Sequence, residues 1–516
     1  MRRRAFLELV GMAGGATATL SAMEALGLAA QPPAPGRFAL DGPRGSASVA
    51  IIGGGVAGLT VAYELGKAGY QCTVLEARPR VGGRVFTIRG GTSEVDADGH
   101  RQTAGFAEGL FYNAGAMRIP PGHTLTIDYC RELGVAVEPF IDSNEHAYLY
   151  TENAGPLSGK RVRMREARAD LNGYIGELLA KAVDKHALDV DLTPADRERI
   201  VEYLKRDVML DTRGKYVATT KRGYAVPPGA GTQSGRLDDP MALRDLLAAN
   251  YGPLYGSDTP MQRSMLQITG GTDRLTEALA AKLGSRVQTG CIVKSVKQDA
   301  QGVRVAYTDA QGQPAELRAQ YGVLAVPLTV LATMDVDLSP RMAEAVKAIP
   351  YAAAGKIGLQ FKRRFWEEDD EIFGGISKTN LEISQIVYPS QAFLSARGIL
   401  IGYYQMGDVA RAMAARPPEE RLRIALEQGA RIHPQYTDSF DNASYSVAWH
   451  RTPHSLGGWA QYSPALRRTY FDTLNAPDGA LYLAGEHVSW VTAWIVGALA
   501  SARLVATKLH ERASRQ

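Results

Sequence analysis

The hydrophobic pattern begins with a continuous apolar run, Val49-Ala50-Ile51-Ile52, that ends in Gly53-Gly54-Gly55. Leu59, Ala62, Tyr63 and Gly66 then recur at helical spacing, and Cys72 to Leu75 form a second apolar run after Gly69. Strand, tight turn, helix and strand in that order predict a parallel β-α-β unit. Between about residues 165 and 210 the period becomes helical, with Leu171, Tyr174, Ile175, Leu178, Leu179 and Ala182 on one face. A further helix is expected to start at Thr193, a capping residue followed by Pro194, with Ile200, Tyr203 and Leu204 as its buried stripe. Strand patterns return from Val287: Val303, Val305 and Tyr307 alternate, and Tyr321 to Val326 form a buried-looking run stopped by Pro327. Lys356 to Phe361 place Ile357, Leu359 and Phe361 on one face and Lys356, Gly358 and Gln360 on the other. A strand over Leu481 to Ala484 precedes a last helix from about Trp494 to Leu509. These elements predict the α/β class with an inserted helical region.

A chain of 516 residues is too long for one core and is expected to form two or three domains. Its formal charge of +4 comes from basic residues scattered among nearly as many acids, so no basic stripe points to nucleic acid. Cys72, Cys130 and Cys291 are far apart, and the histidines show no ligand spacing, so neither a disulfide framework nor a metal site is indicated. Arg2, Arg3 and Arg4 precede Phe6, Leu7 and an Ala- and Gly-rich stretch to Ala30, which reads as a twin-arginine-type export signal over residues 1–30. A Pro-rich linker over 31–45 follows. Glu8, Glu24 and the glycines make the stretch a poor membrane span, so stable membrane insertion is not expected. The expected location is periplasmic or secreted, the alternative being cytoplasmic.

Chemistry enters with Gly53-x-Gly55-x-x-Gly58, where Val56 and Ala57 open the helix and Glu76 closes the next strand. Glycines there let the backbone approach a pyrophosphate at the helix N-terminus, and the acid meets a ribose hydroxyl and repels a 2′-phosphate. The unit therefore reads as Rossmann-like and dinucleotide-binding, with FAD and NAD both compatible. Just beyond lie Ala77, Arg78 and a second glycine turn, Gly82-Gly83-Arg84, whose arginine can pair bidentately with phosphate oxygens. That turn resembles one in the flavin amine oxidases, and Gly485-Glu486 is similar to the segment where that family meets the flavin ribityl chain.

The similarity continues through Gly115-Ala116-Met117-Arg118-Ile119-Pro120, Gly270-Gly271-Thr272-Asp273, Lys356 before Phe365-Trp366, Ile386-Val387-Tyr388-Pro389-Ser390 and Trp494. Over about residues 46 to 512 this order resembles an L-amino acid oxidase. The resemblance implies FAD bound by Gly53, Gly55, Val56, Ala57, Gly58, Glu76, Ala77, Arg78, Gly83, Arg84, Gly115, Ala116, Met117, Arg118, Val293, Gly485, Glu486, Trp494 and Ile495. It also implies an FAD domain in three parts (46–115, 263–330, 461–512), a mixed-sheet substrate domain in two (116–150, 331–460), a helical insert (151–262) and a homodimer. No cysteine follows Cys291, so tethering near the C-terminus is impossible and non-covalent FAD is expected.

The activity implied is oxidative deamination of an L-amino acid, with hydride passing from Cα to flavin N5, molecular oxygen as acceptor, and 2-oxo acid, ammonia and hydrogen peroxide as products. Arg118 is the expected carboxylate clamp because a guanidinium matches a carboxylate through two parallel hydrogen bonds. Tyr388 is expected to supply a second donor, and Lys356 to hold water near N5. Trp459 and Trp494 resemble aromatic substrate walls, and Ala493 falls where the family accepts from the amine through a carbonyl. The residues alone leave other roles open: a surface charge for Arg118, a solvated strand position for Lys356, core packing for the tryptophans. No side chain stands out as a general base, and His487 reads as structural. Three other activities stay open: oxidation of amines lacking a carboxylate, oxidative decarboxylation to an amide, and flavin binding without turnover.

Overall fold

The computed structural model describes residues 38–42, 45–184, 193–228, 235–250 and 261–515; the stretch expected to be an export signal and most of the expected linker lie outside the described residues. Ser48–Ile52 is the middle of five parallel strands, ordered Val287–Thr289, Gln71–Glu76, Ser48–Ile52, Tyr321–Leu324, Leu481–Leu483. The neighbours of the first strand lie on opposite sides of it, so a crevice opens at its carboxyl end, where Gly53 follows. Both faces of these strands are apolar because both are covered. Val49, Ile51, Val74 and Val323 pack against Leu59, Ala62 and Leu65 of the Val56–Lys67 helix and Ala502 and Ala506 of the Ile495–Ala513 helix. Ala50, Ile52, Leu75, Leu324 and Leu483 pack against Val296, Val303 and Val305 of a second, four-stranded sheet.

The other large layer is a mixed seven-stranded sheet, ordered Phe440–Ala448, Ala354–Phe361, Gly398–Met406, Gln385–Tyr388, Gly375–Thr379, Tyr148–Tyr150, Val162–Arg163. Its two faces belong to different cores. Ile357, Leu359, Phe361, Tyr388 and Tyr403 point into one, while Ala354, Ile376, Val387 and Ile401 point into the other with Met117 and Trp449. Side-chain alternation along these strands decides which residues can reach the crevice.

Several expectations change in detail. In the Met164–Asp184 helix the predicted face is only partly buried: Leu171 is buried and Tyr174 packs against the core, but Ile175 is 48%, Leu178 56% and Leu179 36% exposed. The helix packs instead through small residues, since a Cβ on Gly173 would lie 2.2 Å from the Tyr216 ring and one on Gly176 2.8 Å from Val208. Thr193 does cap the next helix, in a capping box with Asp196 and with Pro194 in the first turn, but Tyr203 is exposed while Leu204 is buried. The Thr124–Leu133 helix, expected in the substrate part, packs Tyr129 and Cys130 against Val56, Leu275 and Leu499 of the nucleotide-binding side. Likewise Met342, Ala345 and Val346 join the core of Leu324 and Leu328, so after residue 331 the large mixed sheet begins only at Ala354. The three cysteines are buried and free. Among the described residues no helix is long and apolar enough to cross a membrane.

Candidate active site

A cavity of about 450 Å³ runs from the carboxyl ends of the parallel strands to the large sheet. Glu76, Ala77, Arg78 and Val293 line it at one end, Gly53, Gly55, Val56, Ala57, Gly83, Arg84, Gly485 and Glu486 along its middle, and Gly115, Ala116, Lys356, Trp459, Ala493, Trp494 and Ile495 at the other end. Gly58, Met117, Arg118 and Tyr388 do not line it.

The three fingerprint glycines act differently. Gly53 has φ +108°, and a Cβ there would meet the Ala325 carbonyl at 2.7 Å. A Cβ on Gly55 would have nothing within 4 Å, so this glycine faces open space at the helix start. A Cβ on Gly58 would lie 2.0 Å from the Gly53 carbonyl, so Gly58 lets helix and turn pack and does not touch a ligand. The Val56–Lys67 helix has neither a side-chain cap nor an acid in its first turn, which leaves its positive end turned to the cavity. The Glu76 carboxylate is held by the N–H groups of Gly54 at 2.8 Å and Arg78 at 2.9 Å, as a rigid acceptor for hydroxyl groups. Gly82 donates to the Gly54 carbonyl at 2.8 Å, joining the two glycine turns. A bare glycine surface, an uncapped helix end and a fixed acid fit the diphosphate and ribose of FAD.

Two arginines depart from the sequence reading. Arg84 Nη1 donates to Glu486 Oε1 at 2.8 Å and to the Gly458 carbonyl at 2.7 Å, so a phosphate can use only its other nitrogens. Glu486 also accepts from the N–H groups of Ala460 and Ala493, each at 3.2 Å, which makes the pair a brace across three loops. Arg78 is tied to the Pro453 carbonyl and, at 2.9 Å, to Ser455 Oγ; burial pulls its pKa to about 10. His487, read as structural, is 1% exposed in the cavity wall, and neither ring nitrogen has a partner among the described residues. Burial holds its pKa down to about 4, so the ring is neutral.

At the far end Lys356 is 3% exposed, which excludes the solvated role. Nζ donates to the carbonyls of Gly115 at 2.6 Å and Asn113 at 3.1 Å and stands 4.6 Å over the Tyr404 ring, its cross-strand neighbour. Burial, then the nearby Arg118 charge, lowers its pKa to about 7. Trp449 donates to the Ala114 carbonyl at 3.0 Å, so this segment is anchored from the Lys356 strand and from the 3-10 helix Trp449–Arg451. A Cβ on Gly115 would lie 1.8 Å from the Arg84 carbonyl, and only glycine fits. Trp494 meets His123 edge-on at 4.9 Å, and Ala493 before it has φ +69°, a conformation that costs a non-glycine residue ~1–3 kcal/mol.

Arg118 stands close enough to act on Lys356 and Tyr404, but its Nη1 is 2.5 Å from Asp142 Oδ1. Tyr388 is a correction: it is fully buried, 2.6 Å from Ser377 Oγ and 2.7 Å from His433 Nε2, with Asp370 behind the histidine at 2.8 Å. Tyr388 ends the Gln385–Tyr388 strand, where alternation turns Val387 toward the crevice and Tyr388 away. Met117 is core packing on the crevice side. Sequence reading missed Tyr404, Trp449 and Asp142; for Tyr404 the pairing opposite Lys356 would have been the signal, and for Asp142 there was none. It also missed Asp96, Asp98 and His100, whose ligand atoms lie within 4.8 Å of one another, but Arg421 and Arg451 already face the two carboxylates.

Residues 56–510 match the family model of flavin containing amine oxidoreductases, and residues 3–90 that of pyridine nucleotide-disulphide oxidoreductases. The chain is 28% identical to an L-amino-acid oxidase of Siganus canaliculatus, over 90% of this chain and 85% of the relative. It is also 28% identical to the L-amino acid oxidase bordonein-L of Crotalus durissus terrificus, over 90% and 87%. In fold it is similar to a putrescine oxidase variant (TM-score 0.60, 19% identity, 90% of this chain and 99% of that one). Cyclohexylamine oxidase from Brevibacterium oxydans IH-35A is similar too (TM-score 0.59, 18% identity, 90% and 99%).

Proposed function

Because the chain belongs to the flavin containing amine oxidoreductases, we propose that it oxidises L-amino acids to 2-oxo acids, releasing ammonia and hydrogen peroxide, with FAD held non-covalently. The observation that carries this reading is the guanidinium of Arg118 beside the buried Lys356 and the partly buried Tyr404, joined among the described residues to Asp142 through one nitrogen only. Its remaining edge suits a substrate carboxylate bound through two hydrogen bonds. FAD, when bound, supplies the two-electron acceptor. The chain's own residues orient and desolvate. Trp459 and Trp494 wall the cavity end, and Lys356, with a pKa lowered to about 7, holds an amine whose position suits fixing water or exchanging a proton near neutral pH. Glu486 and Arg84 keep the loops before Trp459 and Trp494 in register. Export by the twin-arginine-type route is part of the proposal, since that route carries folded, cofactor-loaded proteins.

A second reading, oxidation of amines without a carboxylate, is favoured by one observation: Asp142 already balances the charge of Arg118. A panel of L-amino acids and their decarboxylated amines separates the two. Peroxide and 2-oxo acid formed from the amino acids at rates well above the amines support the first reading; the reverse order establishes the second. An amide product in place of the 2-oxo acid would replace both.

A further inference from the structure

Asp142 follows the Val137–Ile141 strand, and its carboxylate lies on Arg118 at 2.5 Å, with the two side chains 14% and 16% exposed. No other hydrogen bond of Arg118's guanidinium occurs among the described residues. Lys378 lies on Gly375–Thr379, a strand of the large mixed sheet. The preceding Ser377 points to Tyr388 on the far face, so alternation turns Lys378 to the crevice face with Ile376. Its ammonium makes no ion pair within 4.0 Å among the described residues, yet it feels both Asp142 and Arg118. One carboxylate is thus bonded to one cation and within electrostatic reach of a second.

We propose that Asp142 is an internal stand-in for the substrate's α-carboxylate: it competes with that group for Arg118 and, when displaced, keeps its charge and pairs with Lys378 instead. The proposal rests on the reading that the substrate carries a carboxylate. Its physical basis is charge balance in a half-buried site. Arg118 without an anion would be an uncompensated charge beside Lys356, and Asp142 pushed off without a new partner would be another. Lys378 removes the second penalty. A neutral amine brings no anion to displace Asp142 and leaves the Arg118 pair intact, so the device discriminates amino acids from amines by exchange of partners. Asp142 is therefore a specificity-determining residue, and Lys378 a positioning residue that acts through it.

The test uses the FAD-loaded full chain with Asp142→Asn, Lys378→Met and the double variant. KM and kcat are measured on L-amino acids, and benzoate, a plain carboxylate probe, is titrated against the flavin absorbance. Asp142→Asn is expected to lower KM and the benzoate Kd about tenfold with kcat within twofold. Lys378→Met is expected to raise both about tenfold, and the double variant to match Asp142→Asn. A raised KM in Asp142→Asn would mean that Asp142 only holds Arg118 in place and would overturn the proposal. Equal loss from Lys378→Met in both backgrounds would mean that Lys378 binds the substrate directly, which also overturns it. If Asp142→Asn loads FAD poorly, Asp142→Ser gives the same readings. Failure of the underlying reading looks different: wild type prefers amines, and benzoate binds wild type and Arg118→Met alike.

Discussion

Lys356 lines one end of the cavity, and Arg118 stands close enough to bear on its charge. The Lys356 pKa near 7 follows from burial and from Arg118, with carbonyl oxygens as its hydrogen-bond partners and no carboxylate. Wild type is expected to show an inflection of kcat/KM near pH 7, rising as Lys356 loses its proton, and Lys356→Met to lack it; a matching inflection in the variant would return Lys356 to a packing role. Stability has a definite sign. A lysine whose folded pKa is depressed favours the unfolded state most below about 7, and this cost fades as pH rises toward the ordinary lysine value near ~10.4. In urea melts wild type should therefore gain on Lys356→Met between pH 7 and 10. For Arg118→Met, the loss of a charge-assisted carboxylate contact of ~2–5 kcal/mol lowers kcat/KM on amino acids by ~30-fold to several thousand-fold. FAD content should stay at the wild-type level, and the matching amine should lose little. Wild-type rates on amino acids in this variant would move the carboxylate contact elsewhere.

At the scale of elements, a single strand shows how the site is assembled. Gln385–Tyr388 passes between two cores, so Val387 faces the crevice and Tyr388 the network of Ser377, His433 and Asp370. Tyr388→Phe removes a hydroxyl that two buried groups rely on, which costs ~1–3 kcal/mol of stability. KM for amino acids should not move. A tenfold rise in KM with an unchanged urea midpoint would place Tyr388 at the substrate after all. The β-α-β unit was legible because its signals are local: an apolar run, a glycine turn, a helical period and an acid at the strand end. The face of Gln385–Tyr388 was not, because a short apolar run buried on both sides has no polar alternation from which to read its phase. The Met164–Asp184 helix failed for a related reason. Its Leu and Ile residues mark a stripe, but close approach through Gly173 and Gly176 chose the packed face.

At the scale of the whole molecule, the cavity lies between two sheets and is lined by residues from Ile52 to Ala498, so cofactor binding bears on the stability of both layers. Free FAD at ~100 times its Kd is expected to add about 2.7 kcal/mol to the unfolding free energy of the apoprotein. Acid precipitation should leave intact yellow flavin in the supernatant, since all three cysteines are buried thiols and none follows Cys291. Flavin retained in the pellet would contradict non-covalent binding. By itself the sequence determined the fold class and the β-α-β unit with its glycine turn from Gly53 to Gly58 and Glu76 at the end of the second strand, because these are contiguous segments whose backbone demands are written in glycines and apolar runs. Only the tertiary structure decided that Arg84 braces Glu486, that Tyr404 underlies Lys356, that Tyr388 faces away and that Asp142 sits on Arg118. Those pairs join residues that are distant in the chain or on neighbouring strands, and their contacts depend on register and side-chain phase, which long-range packing sets.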